Sequence, residues 1–294
     1  MELYVYFNGN FVKASEAAVS IYDHGFLYGD GLFETMRVYD GIPFKFDEHM
    51  DRFYAGAQYL RLDVPLVRSV IKKAIAVLLD KNNLYDAVAR VMMTRGEGGI
   101  GVDISLCPQP TVLITVSPFS PLPEEVYTEG VKVGIVSKIK PPAQSIDSSV
   151  KSNNYLTNIL ARAEARERGL YEGVMLSIEG YVAECATSNI FMIAGDEIVT
   201  PALQTGALNG ITRGIVMEIA HAHDIPVEEK FIVPEELYDA SECFITSSVA
   251  EIVPVVSCDG APIGGGSVGL VTMNFMNEYR RVVSDYVRLQ THGE

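Results

Sequence analysis

Cysteine is scarce and dispersed in this 294-residue chain: Cys107, Cys185, Cys243 and Cys258 form no CxxC pair. That spacing argues against a disulfide framework and a zinc site. It fits a reducing compartment, so a cytoplasmic location is expected. The five histidines make no metal-ligand pattern either, since His221 and His223, two apart, would point to different faces of a helix. No metal is expected. Basic side chains are also few, 23 against 38 acidic ones, for a formal net charge of −15. Such a surface repels phosphate backbones and anionic lipid, which argues against nucleic acid and membrane surfaces as partners. It repels small anionic substrates as well, so any anion site has to be a local pocket of basic groups or backbone amides. No apolar run reaches the length of a membrane span. The opening MELYVYFNGN lacks the basic-then-apolar order of a signal peptide.

What is present is a hydrophobic content of 48%, enough for a sizeable core. Leu3–Phe7 and Phe11–Ala14 flank Asn8-Gly9, which predicts a β-hairpin. Phe46, Met50, Phe53, Ala57 and Leu60 recur at helical spacing, predicting a helix over 46–61, and a second is expected over 65–80. Strands Ala87–Thr94 and Thr111–Val116 follow, separated by the glycine-rich loop Gly96–Asp103. Prolines at 118, 121 and 123 mark an interdomain linker, because proline ends elements and stiffens connections. Beyond it the pattern restarts: a strand at Val131–Lys138, a helix over 154–169 and a hairpin turning at Glu179-Gly180. Strands Asn189–Ala194 and Ile198–Thr200, a helix from Ile211 to Ala222, a last strand Glu242–Ser247 and a helix over 269–288 complete it. The fold class is α+β, with domains expected at 1–117 and 129–294 and the linker at 118–128.

Three segments carry candidate chemistry. Leu208-Asn-Gly-Ile-Thr-Arg-Gly214 leads an apolar residue and Gly210 into a helix with Thr212 in its first turn. The first amides of a helix lack internal partners and sit at the positive end of its dipole, so a phosphate can bind there. Ordinary helix N-termini look the same, and alone the segment decides little. Lys151 stands at a junction between a strand and a helix. Lysines there are usually solvated, but a neutral amine at such a place can attack an aldehyde. Glu184, beside the small residues of Cys185-Ala-Thr-Ser188, is either an exposed edge carboxylate or the partner of a protonated ring nitrogen. Arg52, on the helix of Phe53, reads by itself as a surface charge.

Their order changes the reading. The motifs YDHGFLYGDGLFETMRVYDG (22–41), HMDRF (49–53), KSNNYLTNILARAEA (151–165), GYVAECATSNIF (180–191), LNGITR (208–213) and SSVAEIVPV (247–255) span most of the chain. In that sequence and spacing they resemble the fold-type IV pyridoxal-phosphate enzymes: branched-chain and D-amino-acid aminotransferases and aminodeoxychorismate lyases. The resemblance implies a small N-terminal α/β domain and a larger, β-rich C-terminal domain that binds pyridoxal 5'-phosphate. It implies that Lys151 forms the aldimine, that Glu184 lies under the pyridine nitrogen and that Tyr155 bonds the ring oxygen. Leu208 would pack on the ring face, while Arg52, Gly210, Ile211 and Thr212 would form the phosphate cup, with Ser248 beside it. Tyr28, Phe33, Arg90, Val102 and Val249 match substrate-pocket positions. A homodimer or larger assembly is implied, acting on a small amino acid and a 2-oxo acid.

Within the family the motifs divide. Gly99-Ile-Gly-Val102 and Tyr155 match the branched-chain enzymes, although Val88 replaces a tyrosine two residues before Arg90. Ile100 and Val102 stand where the D-amino-acid enzymes carry arginine and histidine. Arg95-Gly-Glu-Gly-Gly99 reproduces a lyase motif, but Ser152-Asn-Asn-Tyr155 departs from the lyase pattern. The ranking is an L-branched-chain aminotransferase using 2-oxoglutarate, then the lyase, then a D-amino-acid or (R)-amine transaminase. Outside the class stand a phosphate-ligand binding protein without transfer chemistry and a purely structural oligomer.

Overall fold

A computed structural model describes residues 2–292 of the chain. It divides into two compact units. The first holds the chain to Ser120, the short segment Ser149–Asn154 and the end of the C-terminal helix from Tyr286; the second holds Pro121–Ser148 and Tyr155–Asp285. No helix among the described residues is long and apolar enough to cross a membrane.

The first unit is built on an antiparallel sheet of β1 (Tyr4–Phe7), β2 (Asn10–Lys13), β3 (Gly31–Tyr39), β4 (Ile42–Pro43), β5 (Ala87–Thr94) and β6 (Thr111–Pro118). Their order is β2-β1-β6-β5-β3-β4. The β1–β2 hairpin turns on Asn8 and Gly9, both at positive φ, as a two-residue turn requires. A short helix α1 (His24–Tyr28) precedes β3, and α2 (Phe46–Tyr59) and α3 (Arg68–Asn82) lie between β4 and β5. The apolar faces of the two longer helices supply Phe46, Met50, Phe53 and Ala57, and Ile71, Ile75 and Leu78. These pack with Met36, Val38, Ala89, Val91 and Ile114 of the sheet into one core.

The second unit opens with the short helix α4 (Glu124–Thr128), inside the segment expected as linker. Its sheet comprises β7 (Val131–Ile139), β8 (Glu172–Leu176), β9 (Val182–Cys185), β10 (Asn189–Ala194), β11 (Glu197–Pro201), β12 (Val227–Lys230), β13 (Glu242–Ser247), β14 (Glu251–Cys258) and the two-residue β15 (Ala261–Pro262). The order is β12-β11-β10-β13-β14-β7-β8-β9, with β15 on β14. Pairing is mixed: β7 runs parallel to β14 and to β8, and β11 parallel to β12, while the rest is antiparallel. Helices α5 (Leu156–Glu167), α6 (Ile211–Ala222), α7 (Pro234–Tyr238) and α8 (Leu270–His292) complete the chain.

Three strands depart from the sequence reading. β3 shows no clean alternation because it is buried along nearly all its length, with Glu34 and Arg37 inside. β14 follows the strand expected to be last, and Pro254 sits in its middle paired with Phe244, where proline ordinarily argues against a strand. β12, Val227-Glu-Glu-Lys230, is a charged strand at the sheet's edge, a position where charge guards against further pairing.

Phe53 is buried in the first core, whereas Tyr85 is largely exposed. Phe53→Ala is expected to lower the unfolding free energy of the first unit by roughly 3–5 kcal/mol. Tyr85→Ala should change it by about 0.5 kcal/mol or less. Denaturant titration followed by circular dichroism measures both, and equal effects would contradict the packing described.

Candidate active site

In the first unit the candidate lysine is tied to β3. The amide of Phe33 donates to the carbonyl oxygen of Lys151 at 3.0 Å, the amide of Asn153 donates to Gly31 at 2.9 Å, and Leu32 bridges Ser152. The segment 151–153 thereby acts as a short extension of the sheet, and the lysine side chain projects over the ring of Phe33. Its Nζ lies 4.9 Å from the ring centroid, and the guanidinium of Arg90, from β5, lies 4.0 Å from the same centroid. Phe33 is buried, so two cations converge on one aromatic wall.

On α2, His49 and Arg52 share a face three residues apart and meet Glu34 of β3. Arg52 donates through Nε and Nη2 to the two carboxylate oxygens of Glu34, at 2.7 and 2.8 Å, and His49 Nδ1 lies 2.7 Å from Oε2. Burial alone would raise the Glu34 pKa, but the Arg52 charge and the bonds from His49 and Arg52 outweigh it and hold the group down at about 2. Burial pushes His49 below its ordinary range, with the Glu34 contact opposing.

The loop after β5 is anchored at its base. His24 Nε2 lies 2.9 Å from the carbonyl oxygen of Gly99, and the amide of Gly101 donates to the Tyr28 hydroxyl at 3.0 Å. Its apolar side chains are left outside: Ile100 is 80% and Val102 85% exposed.

The second unit brings together a carboxylate and a helix end. Glu184 on β9 is buried. Its Oε2 accepts from the backbone amide of Leu208 at 2.9 Å and from Asn189 Nδ2 at 3.2 Å, and its Oε1 is ion-paired with Lys140 Nζ. Asn189 Nδ2 also donates to the carbonyl oxygen of Leu208 at 2.8 Å, locking the segment before α6. Two residues on, Gly210 is the N-cap of α6, and as a glycine it offers no side chain to the first amides of that helix. A Cβ at Gly210 would stand 2.0 Å from Asn189 Oδ1, so this close approach demands glycine. The amides of Ile211 and Thr212 therefore lie at an uncapped dipole end, with Thr212 buried.

Tyr155 is the N-cap residue of α5 and half-buried. Ser248 and Val249 form the tight turn between β13 and β14, closed by Glu251 at positive φ and by the Ala250 amide donating to Ser247 Oγ at 3.2 Å. Tyr127 of α4 donates to the Ala250 carbonyl at 3.2 Å and steadies the turn. Sequence reasoning passed over Glu34, His49, Lys140 and Asn189. The first two carried a signal, since His49 and Arg52 repeat at helical spacing. Lys140 carried none, because nothing in Lys138-Ile-Lys140 marks one lysine as inward-facing.

Comparison with known proteins decides the family. The model of amino-transferase class IV matches residues 31–258. The chain belongs to the class IV aminotransferases. It is 38% identical to a putative branched-chain-amino-acid aminotransferase of Methanocaldococcus jannaschii over 95% of this chain and 96% of that one. It is 33% identical to a D-alanine aminotransferase of Bacillus licheniformis over 92% and 93%. Among solved structures, a branched-chain amino acid aminotransferase from T.th. with pyridoxamine 5'-phosphate superposes with a TM-score of 0.92. That pair shares 30% identity and covers 97% of this chain and 95% of that one. A class IV aminotransferase transfers amino groups with a fold-type IV scaffold, and the α+β architecture above is that scaffold.

Because the folded state holds Glu34 below its ordinary value of 4.5, its contribution to stability is present above that value and lost as pH falls towards about 2. The wild-type unfolding free energy should therefore drop between about pH 5 and pH 2 by on the order of 3 kcal/mol from this group. In Glu34→Gln that part of the slope should be missing. Urea titrations across the acid range measure it, and parallel slopes would refute the assignment.

Proposed function

We propose that this chain is a pyridoxal-phosphate-dependent transaminase that moves the amino group of an L-branched-chain amino acid to 2-oxoglutarate. The observation that carries this reading lies in the second unit. A buried carboxylate, Glu184, is joined through Leu208 to an uncapped helix end at Gly210. A carboxylate suits a cationic ring nitrogen, and free helix amides suit a phosphate. A ligand carrying both groups fits this donor set, and pyridoxal phosphate is such a ligand. Two of the three relatives described are named for branched-chain substrates, and one of them was solved with the pyridoxamine form.

When bound, the cofactor supplies an electron sink for the bonds at the substrate Cα. The protein's own groups do the rest. Glu184 would hold the positive charge at the ring nitrogen, Leu208 would pack on the ring, and Tyr155 would bond the ring oxygen. Gly210, Ile211 and Thr212 would grip the phosphate through amides and a hydroxyl, and the family resemblance adds Arg52 and Ser248 to that role. Lys151 would hold the cofactor through its side-chain amine until the amino donor takes its place. Freed from that bond, the Lys151 amine would be the base that takes and returns the proton at the substrate Cα in each half-reaction. Tyr28, Phe33, Val102 and Val249 wall the substrate. Arg90, beside Phe33, suits the second carboxylate of 2-oxoglutarate. A homodimer is part of this reading, supported by exposed Ile21, Phe26, Ile100 and Val102 on the first unit. A cytoplasmic site of action accords with four free cysteines.

A second reading, a D-amino-acid transaminase, has the Bacillus licheniformis relative in its favour. Visible absorption separates the outcomes. The purified protein should carry a yellow band that bleaches with L-leucine, and 2-oxoglutarate should restore it. Lys151→Ala should lower turnover by roughly 10²–10⁴-fold or more, the range of a lost proton-transfer group. Bleaching by D-alanine alone would favour the second reading, release of pyruvate from aminodeoxychorismate would reveal a lyase, and absence of any band would sink the cofactor assignment.

A further inference from the structure

A lysine that no motif singled out is paired with the carboxylate at the centre of the second unit. Lys140 follows β7, and its backbone amide donates to the carbonyl oxygen of Leu176 on β8 at 2.8 Å, so its Cα is fixed by the sheet. Its side chain is 14% exposed and its Nζ is ion-paired with Glu184 Oε1. The stem is confined too. The loop at Gly206 passes so close that a Cβ there would stand 3.0 Å from Lys140 Cγ and 2.8 Å from the Pro141 carbonyl oxygen, and Gly206 has φ +95°. Lys140 is thus a cation held in place by backbone on both sides, as solvated lysines are not.

Counting acceptor sites on Glu184 gives the consequence. An ionised carboxylate offers about four lone-pair positions. Leu208 and Asn189 occupy Oε2, and Lys140 occupies one position on Oε1. The position left among the described contacts is on Oε1, the oxygen that Lys140 already holds. We infer that Lys140 is a positioning residue for the cofactor ring: it holds Glu184 Oε1 in place and shares that oxygen with the ring nitrogen. Without Lys140 the buried carboxylate keeps described donors on Oε2 alone, and Oε1 is free to turn from the ring. The ring nitrogen would then lose its charge-assisted bond to Oε1. This inference rests on pyridoxal phosphate being the cofactor.

The test compares two ligands on the full chain freed of cofactor: pyridoxal phosphate, and its 1-deaza analogue, whose ring carries carbon in place of the nitrogen. Lys140→Met should raise the dissociation constant for pyridoxal phosphate about tenfold, as loss of one charge-assisted bond implies. The constant for the analogue should stay within about twofold, since the analogue never used that bond. Lys140→Arg, which restores the cation, should bind pyridoxal phosphate nearly as the wild type does. In a Glu184→Gln background, adding Lys140→Met should change neither constant. Equal weakening of both ligands by Lys140→Met would show a merely structural role and overturn the inference, as would no change in either, or an additive loss beside Glu184→Gln. Failure of the wild type to bind either ligand would instead overturn the cofactor reading itself, and this inference with it.

Discussion

A carboxylate removed from water has to find donors inside the protein, and much of this molecule's architecture follows from meeting that demand. In the first unit Glu34 takes two donors from Arg52 and meets His49, which fixes α2 against β3. In the second unit Glu172 accepts from the backbone and hydroxyl of Thr187, tying β8 to the loop between β9 and β10. Glu242 accepts from the amides of Val271 and Thr272 and so caps the first turn of α8. Glu184 gathers Lys140, Asn189 and Leu208 from three further places in the chain. Each acid sits on a strand and recruits partners from other elements of the chain. An apolar core fixes which faces meet; these acids also fix the register in which they meet, because a hydrogen bond tolerates little displacement.

The same demand explains why the candidate chemistry falls where it does. α6 has no side chain of its own at its N-terminus, and Gly210 is forced by the nearness of Asn189. Asn189 is in turn held there by Glu184 and by the Leu208 carbonyl. The uncapped amides are therefore a by-product of satisfying Glu184, and the carboxylate and the helix end come as one assembly. On the first unit, the Lys151 segment is fixed through its own backbone on β3, so its place in the fold does not depend on what the side chain meets.

Much of this was legible in the sequence where pattern and structure share a cause. The hairpin at Asn8-Gly9, strand Ala87–Thr94 and helix Ile211–Ala222 follow from turn chemistry and periodicity, and these elements stand at the expected residues. Glu184, Leu208 and Gly210 were singled out by motif and do stand together. Where burial was two-sided or charge lay inside, periodicity failed: β3 hides Glu34 and Arg37, and β14 carries Pro254. Lys140 was invisible for a related reason. Whether a lysine is solvated or paired depends on a loop some 66 residues away at Gly206, and no local pattern encodes that distance.

The loop carrying Ile100 and Val102 is organised on the opposite principle. It is moored by a histidine nitrogen and a tyrosine hydroxyl at its foot, and its apolar side chains contribute nothing to either core. Replacing them costs the fold almost nothing, whereas the surroundings of Glu184 admit hardly any substitution without loss. A lineage descending from such a chain can therefore change what it faces at Ile100 and Val102 without unsettling its fold, while the carboxylate and its donors stay frozen. Diversity across descendants should gather at the loop, and the surroundings of Glu184 should be inherited almost unchanged.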